Sequence, residues 1–452
     1  MSIYANQQIV VVGAGRSGLA LCDYLCAQGA QVTLSDRREE AAINGLDQLN
    51  SAVRRDLGGH TETLFVAADL IVISPGVPLD VPVLQVAKAA GVPILGEIEI
   101  ATRELKTPLI AITGTNGKST TTMLIGAMLT AWGKKTFVGG NLGTPLVELW
   151  RESGWEWAVA EISSFQLEAI ERFHPRYGLL LNLSEDHLDR YPSMEAYVTA
   201  KLEIFANMTC DDVAILNADD AAVLAATADI APRKLLFSSS QPVEAGIGFD
   251  SRDIIWRWQD EEVRFPVAEL QLKGLHNIEN VMAALAPVLL AGCPATIAWG
   301  AACLFGGLPH RMVPVREVGG VIWYDDSKGT NVGSVVKSLA GLQGPVTLIA
   351  GGKDKGGDYA PLRDGVAAKV AHLVLIGEAT ERIAETLGDL TRVHRAATLD
   401  EAVQLGYKLT PAGGSVLLSP GCSSFDMFCS YAERGERFAA AVRALPSAGK
   451  GE

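Results

Sequence analysis

Residues 109–122 read LIAITGTNGKSTTT, and this stretch decides the fold class. Apolar residues predict a strand that ends at Thr113, a glycine loop follows, and a helix begins near Lys118. In such a loop the backbone N–H groups bind phosphate oxygens, the lysine reaches the β- and γ-phosphates, and Ser119 holds Mg²⁺. The strict G-x-x-x-x-G-K-[ST] pattern is not met, because Ile112 stands where the first glycine belongs. The predicted phosphate-binding residues are Gly114, Thr115, Asn116, Gly117, Lys118, Ser119 and Thr120.

Strand-like and helix-like runs alternate on both sides of this loop, which predicts an α/β fold with mainly parallel sheets. Three blocks each open with their own strand, and we place domains at residues 1–97, 98–308 and 309–452. Residues 281–308 carry no charge, but Gly292-Cys293-Pro294 interrupts them. Two short buried helices are therefore expected there, and no membrane insertion.

The first block contains a second glycine motif, GAGRSG at residues 13–18, with Asp36 at the end of the next strand. Alone, this pattern predicts an NAD(P)-dependent dehydrogenase, in which the acid binds ribose. The same turn accepts other diphosphates, such as that of a UDP-sugar, and it also occurs as a βα turn without ligand. Arg37 and Arg38 could contact a phosphate or a uracil ring.

Acidic residues follow two strands of the second block. Glu161 ends one strand, and the sequence EDHLD at residues 185–189 follows another. Ligands in α/β folds gather at the carboxyl ends of strands, so this density of acids with His187 predicts a cation site. Lys201 lies on a helical run and, by its sequence context alone, is an ordinary surface lysine.

The charge, the cysteine content and the first residues of the chain disfavour several classes of protein. The net charge of −14 and the pI near 5.1 disfavour a nucleic-acid binder. Seven scattered cysteines without a CxxC pair predict reduced thiols rather than disulfides or structural zinc. The first residues lack the features of a signal peptide, so we expect a cytoplasmic protein.

Four motifs together resemble the Mur ligase family, in particular its D-glutamate-adding branch. They are TGTNGKST at 113–120, EISSFQLE at 161–168, NLSEDHLDRY at 182–191 and SPGCSSFDMF at 419–428, whereas the D-N-P-R motif of another branch is absent. The resemblance implies three domains: an N-terminal Rossmann-like domain for UDP, a central P-loop ATPase-like domain and a C-terminal Rossmann-like domain.

The resemblance also implies roles for individual residues. Those implied for catalysis and Mg²⁺ are Lys118, Ser119, Glu161, His187 and Lys201, the last as a carbamate. Besides the phosphate loop, those implied for ATP are Asn277, Asn280, His310, Arg311, Asp326 and Lys328. Those implied for the other substrates are Gly15, Ser17, Arg37, Arg38, Ser74, Asn141, Ser163, Lys328, Lys355, Ser424 and Phe425.

The implied reaction joins the L-alanine carboxylate of UDP-N-acetylmuramoyl-L-alanine to D-glutamate through an acyl phosphate, with ATP as co-substrate and two Mg²⁺ ions. A monomer with no nucleic-acid partner is expected. Three alternatives stay open: an oxidoreductase that uses the first glycine motif, a ligase that adds glutamate to folates, and a non-catalytic nucleotide-dependent regulator.

Overall fold

A computed structural model describes residues 2–188, 190–241 and 243–446. The described strands form three sheets of mostly parallel strands flanked by helices, which confirms the predicted α/β fold. The chain folds as two compact units. The first comprises the residues up to Leu183 together with Val198–Phe305, and the second comprises Ser184–Tyr197 together with the residues from Gly306 onward.

The first sheet has five parallel strands in the order β3-β2-β1-β4-β5. The central strands β1 and β4 are short, apolar and largely buried, as expected where helices cover both faces, whereas the edge strand β3 is polar and has no buried residue. The strands of this sheet are β1 (Gln8–Val12), β2 (Gln31–Asp36), β3 (Arg54–Leu57), β4 (Leu70–Ile73) and β5 (Ile94–Gly96). Its helices are α1 (Arg16–Ala27), α2 (Glu62–Val66), α3 (Pro82–Ala89) and α4 (Glu97–Thr102), with a 3₁₀ turn at Glu40–Ala42.

The second sheet has nine described strands in the order β14-β13-β12-β11-β10-β9-β6-β8-β7, and β13 runs antiparallel to both of its neighbours, β12 and β14, whereas the other neighbouring strands are parallel. The strands are β6 (Leu109–Thr113), β7 (Thr136–Gly140), β8 (Trp157–Glu161), β9 (Tyr177–Leu180), β10 (Val213–Asn217), β11 (Arg233–Ser238), β12 (Gly246–Phe249), β13 (Asp253–Trp258) and β14 (Glu261–Pro266). The helices are α5 (Lys118–Ala131), α6 (Ser164–Leu167), α7 (Met194–Leu202), α8 (Ala221–Ala226), α9 (Leu275–Leu290) and α10 (Ala295–Leu304). The 3₁₀ turns are Leu146–Arg151, Glu203–Phe205 and Val267–Glu269.

The uncharged stretch forms α9 and α10, separated at Gly292 to Pro294, as predicted. Both helices pack on α5 and bury their small and apolar side chains in the core of the second sheet. Within the described ranges, the helices are too short or too polar for any of them to traverse a lipid bilayer.

The third sheet has six strands in the order β15-β16-β20-β17-β18-β19, and β15 is its antiparallel edge. The strands are β15 (Val313–Val318), β16 (Val321–Asp325), β17 (Val346–Gly351), β18 (Val370–Ile376), β19 (Arg392–Arg395) and β20 (Ser415–Leu418). The helices are α11 (Val332–Ala340), α12 (Arg363–Lys369), α13 (Thr380–Leu387), α14 (Leu399–Leu409) and α15 (Tyr431–Arg443), with a 3₁₀ turn at Ala360–Leu362.

Within the first unit, two buried glutamates of α4 join the first sheet to the second. Glu99 Oε2 accepts hydrogen bonds of 2.9 Å from the backbone N–H groups of residues 171, 172 and 173, and Oε1 accepts one from Arg103. Glu97 Oε1 accepts from the N–H of Val147 at 2.7 Å. Burial raises the pKa of Glu97 to about 7, and the hydrogen bonds that this carboxylate accepts, which lower the pKa, only partly offset the effect of burial.

Candidate functional site

The glycine loop between β6 and α5 has the shape that the sequence predicts. Gly114 and Gly117 both have positive φ angles, of 136° and 87°. A Cβ atom on Gly117 would lie 2.3 Å from Asn280 Oδ1, so only glycine fits against this asparagine of α9. Helix α5 starts at Lys118 and directs its N-terminus to the loop. The loop therefore offers backbone N–H groups and a helix dipole to an anion.

Asn182, which follows β9, holds this loop from one side. Its Oδ1 accepts from the N–H of Asn116 at 2.8 Å, and its Nδ2 donates to the Asn116 carbonyl at 3.0 Å. Its backbone carbonyl accepts from the N–H of Thr115. The sequence motif alone indicates no role for Asn182, although a polar residue just after an apolar strand is a signal for a position near a ligand site.

Two lysines converge on the carbonyl oxygen of Gly114. Lys118 Nζ donates to it at 2.9 Å and to the Thr115 carbonyl at 2.8 Å, and Lys201 Nζ donates to it at 3.0 Å. Lys201 is only 2% exposed, so the surface position suggested by its sequence context alone is wrong. The structure thus brings the implied catalytic lysines together at one acceptor.

Glu161 is placed beside the phosphate loop by strand pairing. It ends β8 in register with Ile112 of β6, and its side chain is buried. Asn141 donates to Glu161 Oε1 at 2.7 Å and, through its backbone N–H, to the Glu161 carbonyl. Asn141, implied as a substrate contact, therefore fixes the orientation of this carboxylate.

Ser163 and Asn277 have local partners. Ser163 caps α6 in a capping box with Gln166, in which each side chain bonds the backbone N–H of the other. Asn277 donates to the Lys273 carbonyl at 2.8 Å.

In the first sheet, the turn after β1 packs tightly against Ser74. A Cβ atom on Gly18 would lie 1.8 Å from the Gly13 carbonyl, and Ser74 Oγ donates to that same carbonyl at 2.9 Å. Gly15 is the N-cap of α1, and Ser17 lies in its first turn. The glycine motif at residues 13–18 thus forms a tight turn between β1 and α1, as its sequence predicts.

Asp36 is engaged inside this turn. Its carboxylate accepts from the N–H of Ala14 at 2.7 Å and from the guanidinium of Arg38 at 2.8 and 3.0 Å. Burial alone would raise the pKa of Asp36, but these hydrogen bonds outweigh it and lower the pKa to about 2. Arg38 therefore braces the turn through Asp36, and both Arg37 and Arg38 are exposed.

The second unit contains a cleft of about 180 Å³ lined by Asp186, His187, Asn331, Lys355, Tyr359 and Gly421, among others. Lys355 Nζ lies 3.1 Å from Asp186 Oδ1, and Asn331 Nδ2 donates to Asp186 Oδ2 at 3.1 Å. His187 has a left-handed backbone, with φ of 58°, and its N–H donates to Asp186 Oδ1 at 3.0 Å.

The implied ATP contacts of the third domain adjoin β15 and β16. His310 Nδ1 lies 2.6 Å from Asp325 Oδ2, and Arg311 follows directly. Asp326 is buried and accepts from the hydroxyls of Ser338 and Ser419 at 2.7 Å. Burial raises its pKa to about 6, against these hydrogen bonds. Lys328 Nζ lies 5.0 Å from the ring centroid of Tyr431.

The loop after β20 carries Ser424, which is buried, and Phe425, which is 71% exposed. Arg434 of α15 holds this loop. Its buried guanidinium donates to the Ser327 hydroxyl and carbonyl and to the Cys422 and Ser423 carbonyls. Burial lowers the pKa of Arg434 to about 10. The sequence alone does not single out Arg434, because α15 carries several other charged residues.

The implied metal ligands are divided between the units: Ser119, Glu161 and Lys201 belong to the first, and His187 belongs to the second. Across residues 2–188, 190–241 and 243–446, no three His, Cys, Asp or Glu side chains gather as a metal site. Of the predicted EDHLD cation site, Asp186 pairs with Lys355 and Glu185 is exposed, and Asp189 lies outside the described residues, so the cation site stays a prediction.

Comparison with known proteins covers all three sheets. Residues 7–96 match the MurD-like N-terminal domain of Mur ligases, 112–288 the Mur ligase middle domain, and 310–422 the Mur ligase glutamate ligase domain. A relative from Syntrophotalea carbinolica, the UDP-N-acetylmuramoylalanine–D-glutamate ligase, is 60% identical over 99% of this chain and 100% of its own length.

Two solved structures share the fold. The UDP-N-acetylmuramate-alanine ligase of Thermotoga maritima has a TM-score of 0.63 at 20% identity and covers 97% of this chain and 100% of its own. The MurF ligase of Thermotoga maritima, in complex with ADP, has a TM-score of 0.61 at 16% identity and covers 97% and 95%. The predicted three-domain architecture is confirmed, and this chain belongs to the Mur ligase family.

Proposed function

We propose that this chain forms the amide bond between the L-alanine carboxylate of UDP-N-acetylmuramoyl-L-alanine and the amine of D-glutamate, using ATP, in peptidoglycan precursor synthesis. The observation that carries the proposal is the phosphate loop, where Lys118 and Lys201 meet at Gly114 beside the buried Glu161. The name of the Syntrophotalea carbinolica relative supports this choice of substrates.

The chemistry explains why a phosphate loop is needed. A carboxylate resists attack by an amine because of its charge and resonance. Transfer of the γ-phosphoryl group to a carboxylate oxygen releases ADP and leaves an acyl phosphate. The amine then attacks the carbonyl carbon, and phosphate leaves from the tetrahedral intermediate as the amine loses its proton. Such catalysis depends mainly on positioning and on charge stabilisation.

In this scheme the ammonium group of Lys118 leaves the Gly114 carbonyl and offsets the charge of the moving phosphoryl group. The oxygen donors of Ser119 and Glu161 suit Mg²⁺, which would neutralise phosphate charge when bound. His187 is proposed as a further ligand. The amine of Lys201, once its ammonium form has lost a proton to solvent, is proposed to add to CO₂ and release a second proton, which would replace one of two neighbouring positive charges by an anionic oxygen ligand.

The other substrates are assigned to the remaining sites. We assign the UDP portion to the turn of Gly15 and Ser17 with Ser74, and D-glutamate to the cleft of Lys355 with Ser424 and Phe425. The substrates are soluble metabolites and ATP, so we place the reaction in the cytoplasm and expect a monomer to suffice.

The test is phosphate release by the purified full-length chain with ATP, Mg²⁺ and UDP-N-acetylmuramoyl-L-alanine. Release that requires D-glutamate and is not supported by L-glutamate is the expected result. A folate acceptor with L-glutamate serves as the matched alternative, because the family resemblance left that reaction open. Equal rates with L-glutamate, or turnover only with the folate, would contradict the proposal.

A further inference from the structure

The ion pair between Asp186 and Lys355 joins two segments that are far apart in sequence. The side chains are only 8% and 16% exposed, so each would be costly to leave without a partner of opposite charge. The nearest other acid on the same loop, Asp354, pairs with Arg382 and accepts from the hydroxyl of Tyr359. Among the described residues that line the cleft, Lys355 is the one lysine and there is no arginine, so Lys355 is the cation that the cleft offers to an anion.

Asp186 is fixed more firmly than Lys355. Its two oxygens also accept from the backbone N–H of His187 and from Asn331 Nδ2. Asn331 is itself held, because its Oδ1 accepts from the N–H of Ser334 as the N-cap of α11. Lys355 sits on a flexible four-carbon stem, so this side chain is the one that can move.

We infer that Asp186 is a specificity-determining residue that holds Lys355 with its own carboxylate until a carboxylate of the acceptor amino acid replaces it. Binding is then an exchange of one ion pair for another, and a ligand without a carboxylate for Lys355 cannot open the pair at low cost. This inference rests on the proposed function, since it takes the cleft as the D-glutamate site.

The test measures D-glutamate binding by calorimetry to the full-length chain saturated with Mg²⁺, β,γ-imido-ATP and UDP-N-acetylmuramoyl-L-alanine. In Asp186→Asn the competing carboxylate is gone, so the Kd for D-glutamate should fall by roughly 3- to 10-fold. Lys355→Gln should weaken binding. If the two residues act as a pair, adding Asp186→Asn to Lys355→Gln should give no gain.

Asp358→Asn is the matched control, because Asp358 is an exposed carboxylate on the same loop that caps the N–H of Ala360 rather than pairing with Lys355. It should change the Kd less than the Asp186 variant does. Thermal unfolding of each variant separates this effect from damage to the fold, since a merely structural Asp186 would give lower stability and weaker binding.

Unchanged or weaker binding in Asp186→Asn, or an equal gain in the Lys355→Gln background, would overturn the inference while leaving the proposed function intact. If the unaltered chain shows no D-glutamate-dependent phosphate release, the proposed function fails, and this inference fails with it.

Discussion

At the residue scale, the carbonyl oxygen of Gly114 is the common acceptor of two lysine ammonium groups. Both Lys118 and Lys201 donate to it. The sequence predicts the position of Lys118, because strand, loop and helix lie together in the chain. It could not by itself predict Lys201 or Asn182, because their contacts join residues distant in sequence. Asp36 differs again: it is the acid that a dinucleotide turn would contain, but its carboxylate is already engaged by Ala14 and Arg38.

Lys118→Ala should reduce D-glutamate-dependent phosphate release by at least about 100-fold, because no other group of the loop supplies the same charge to the phosphoryl group. Far-ultraviolet circular dichroism should match that of the unaltered chain. Lys134→Ala removes a partly exposed lysine that pairs with Glu156, away from the loop, and serves as the control. A near-normal rate in Lys118→Ala would refute the assignment of the loop.

Lys201→Ala should also be inactive, and short carboxylic acids such as acetate should restore part of the activity by supplying the missing oxygen ligand. Chain incubated with ¹³C-labelled bicarbonate should show a carbamate resonance by NMR that the variant lacks. Full activity of the variant without any added acid would exclude a role for a carbamate at this position.

At the element scale, local patterns predicted most strands and helices, but not always where they end. The composition of residues 263–272 is typical of a strand, but β14 ends at Pro266, because a 3₁₀ turn at Val267–Glu269 follows. The helical pattern near the C-terminus continues to about Leu445, but α15 ends at Arg443. The hydrogen bonds of the two buried glutamates of α4 could not be predicted from local patterns at all, because their partners lie on other elements.

The raised pKa of Glu97 should make the free energy of unfolding depend on pH. Its pKa is about 7 in the folded chain against a usual 4.5, so the folded state keeps a proton that the unfolded state loses. The resulting stabilisation is complete below pH 4.5 and is lost as the pH rises through 7.

Relative to Glu97→Gln, which cannot titrate at this position, the free energy of unfolding of the unaltered chain should fall by on the order of 2–3 kcal/mol between pH 4.5 and 8. Urea unfolding at a series of pH values measures this, with Glu62→Gln, at an exposed site of the first domain, as the control. A difference between chain and variant that is constant with pH would show that Glu97 is charged when folded.

At the scale of the whole molecule, the sequence predicts three α/β blocks because each opens with its own strand and turn. It did not predict that Ser184–Tyr197, between β9 and β10, belongs with the C-terminal unit. That assignment depends on contacts such as those of Asp186 with Lys355 and Asn331, which no local pattern encodes.

The first domain should bind UDP-N-acetylmuramoyl-L-alanine and not NADH. Asp36 is held by Ala14 and Arg38, so it is poorly placed to bind a nicotinamide-cofactor ribose. Calorimetry with the full-length chain should show heat of binding for the UDP-sugar alone. Gly18→Ala, which would clash with the Gly13 carbonyl, should weaken that binding. Tight NADH binding without UDP-sugar binding would favour the oxidoreductase alternative.

The division of the chain into units also governs how relatives can be recombined. The backbone passes from one unit to the other after Leu183, Tyr197 and Phe305, so neither unit is a continuous stretch of the gene. A chimaera made with a single crossover near residue 305 would combine the Ser184–Tyr197 segment of one parent with the C-terminal residues of another. Under the proposed assignment of D-glutamate to the cleft of the second unit, exchange of amino-acid preference between family members should need a second, short insert from the same donor.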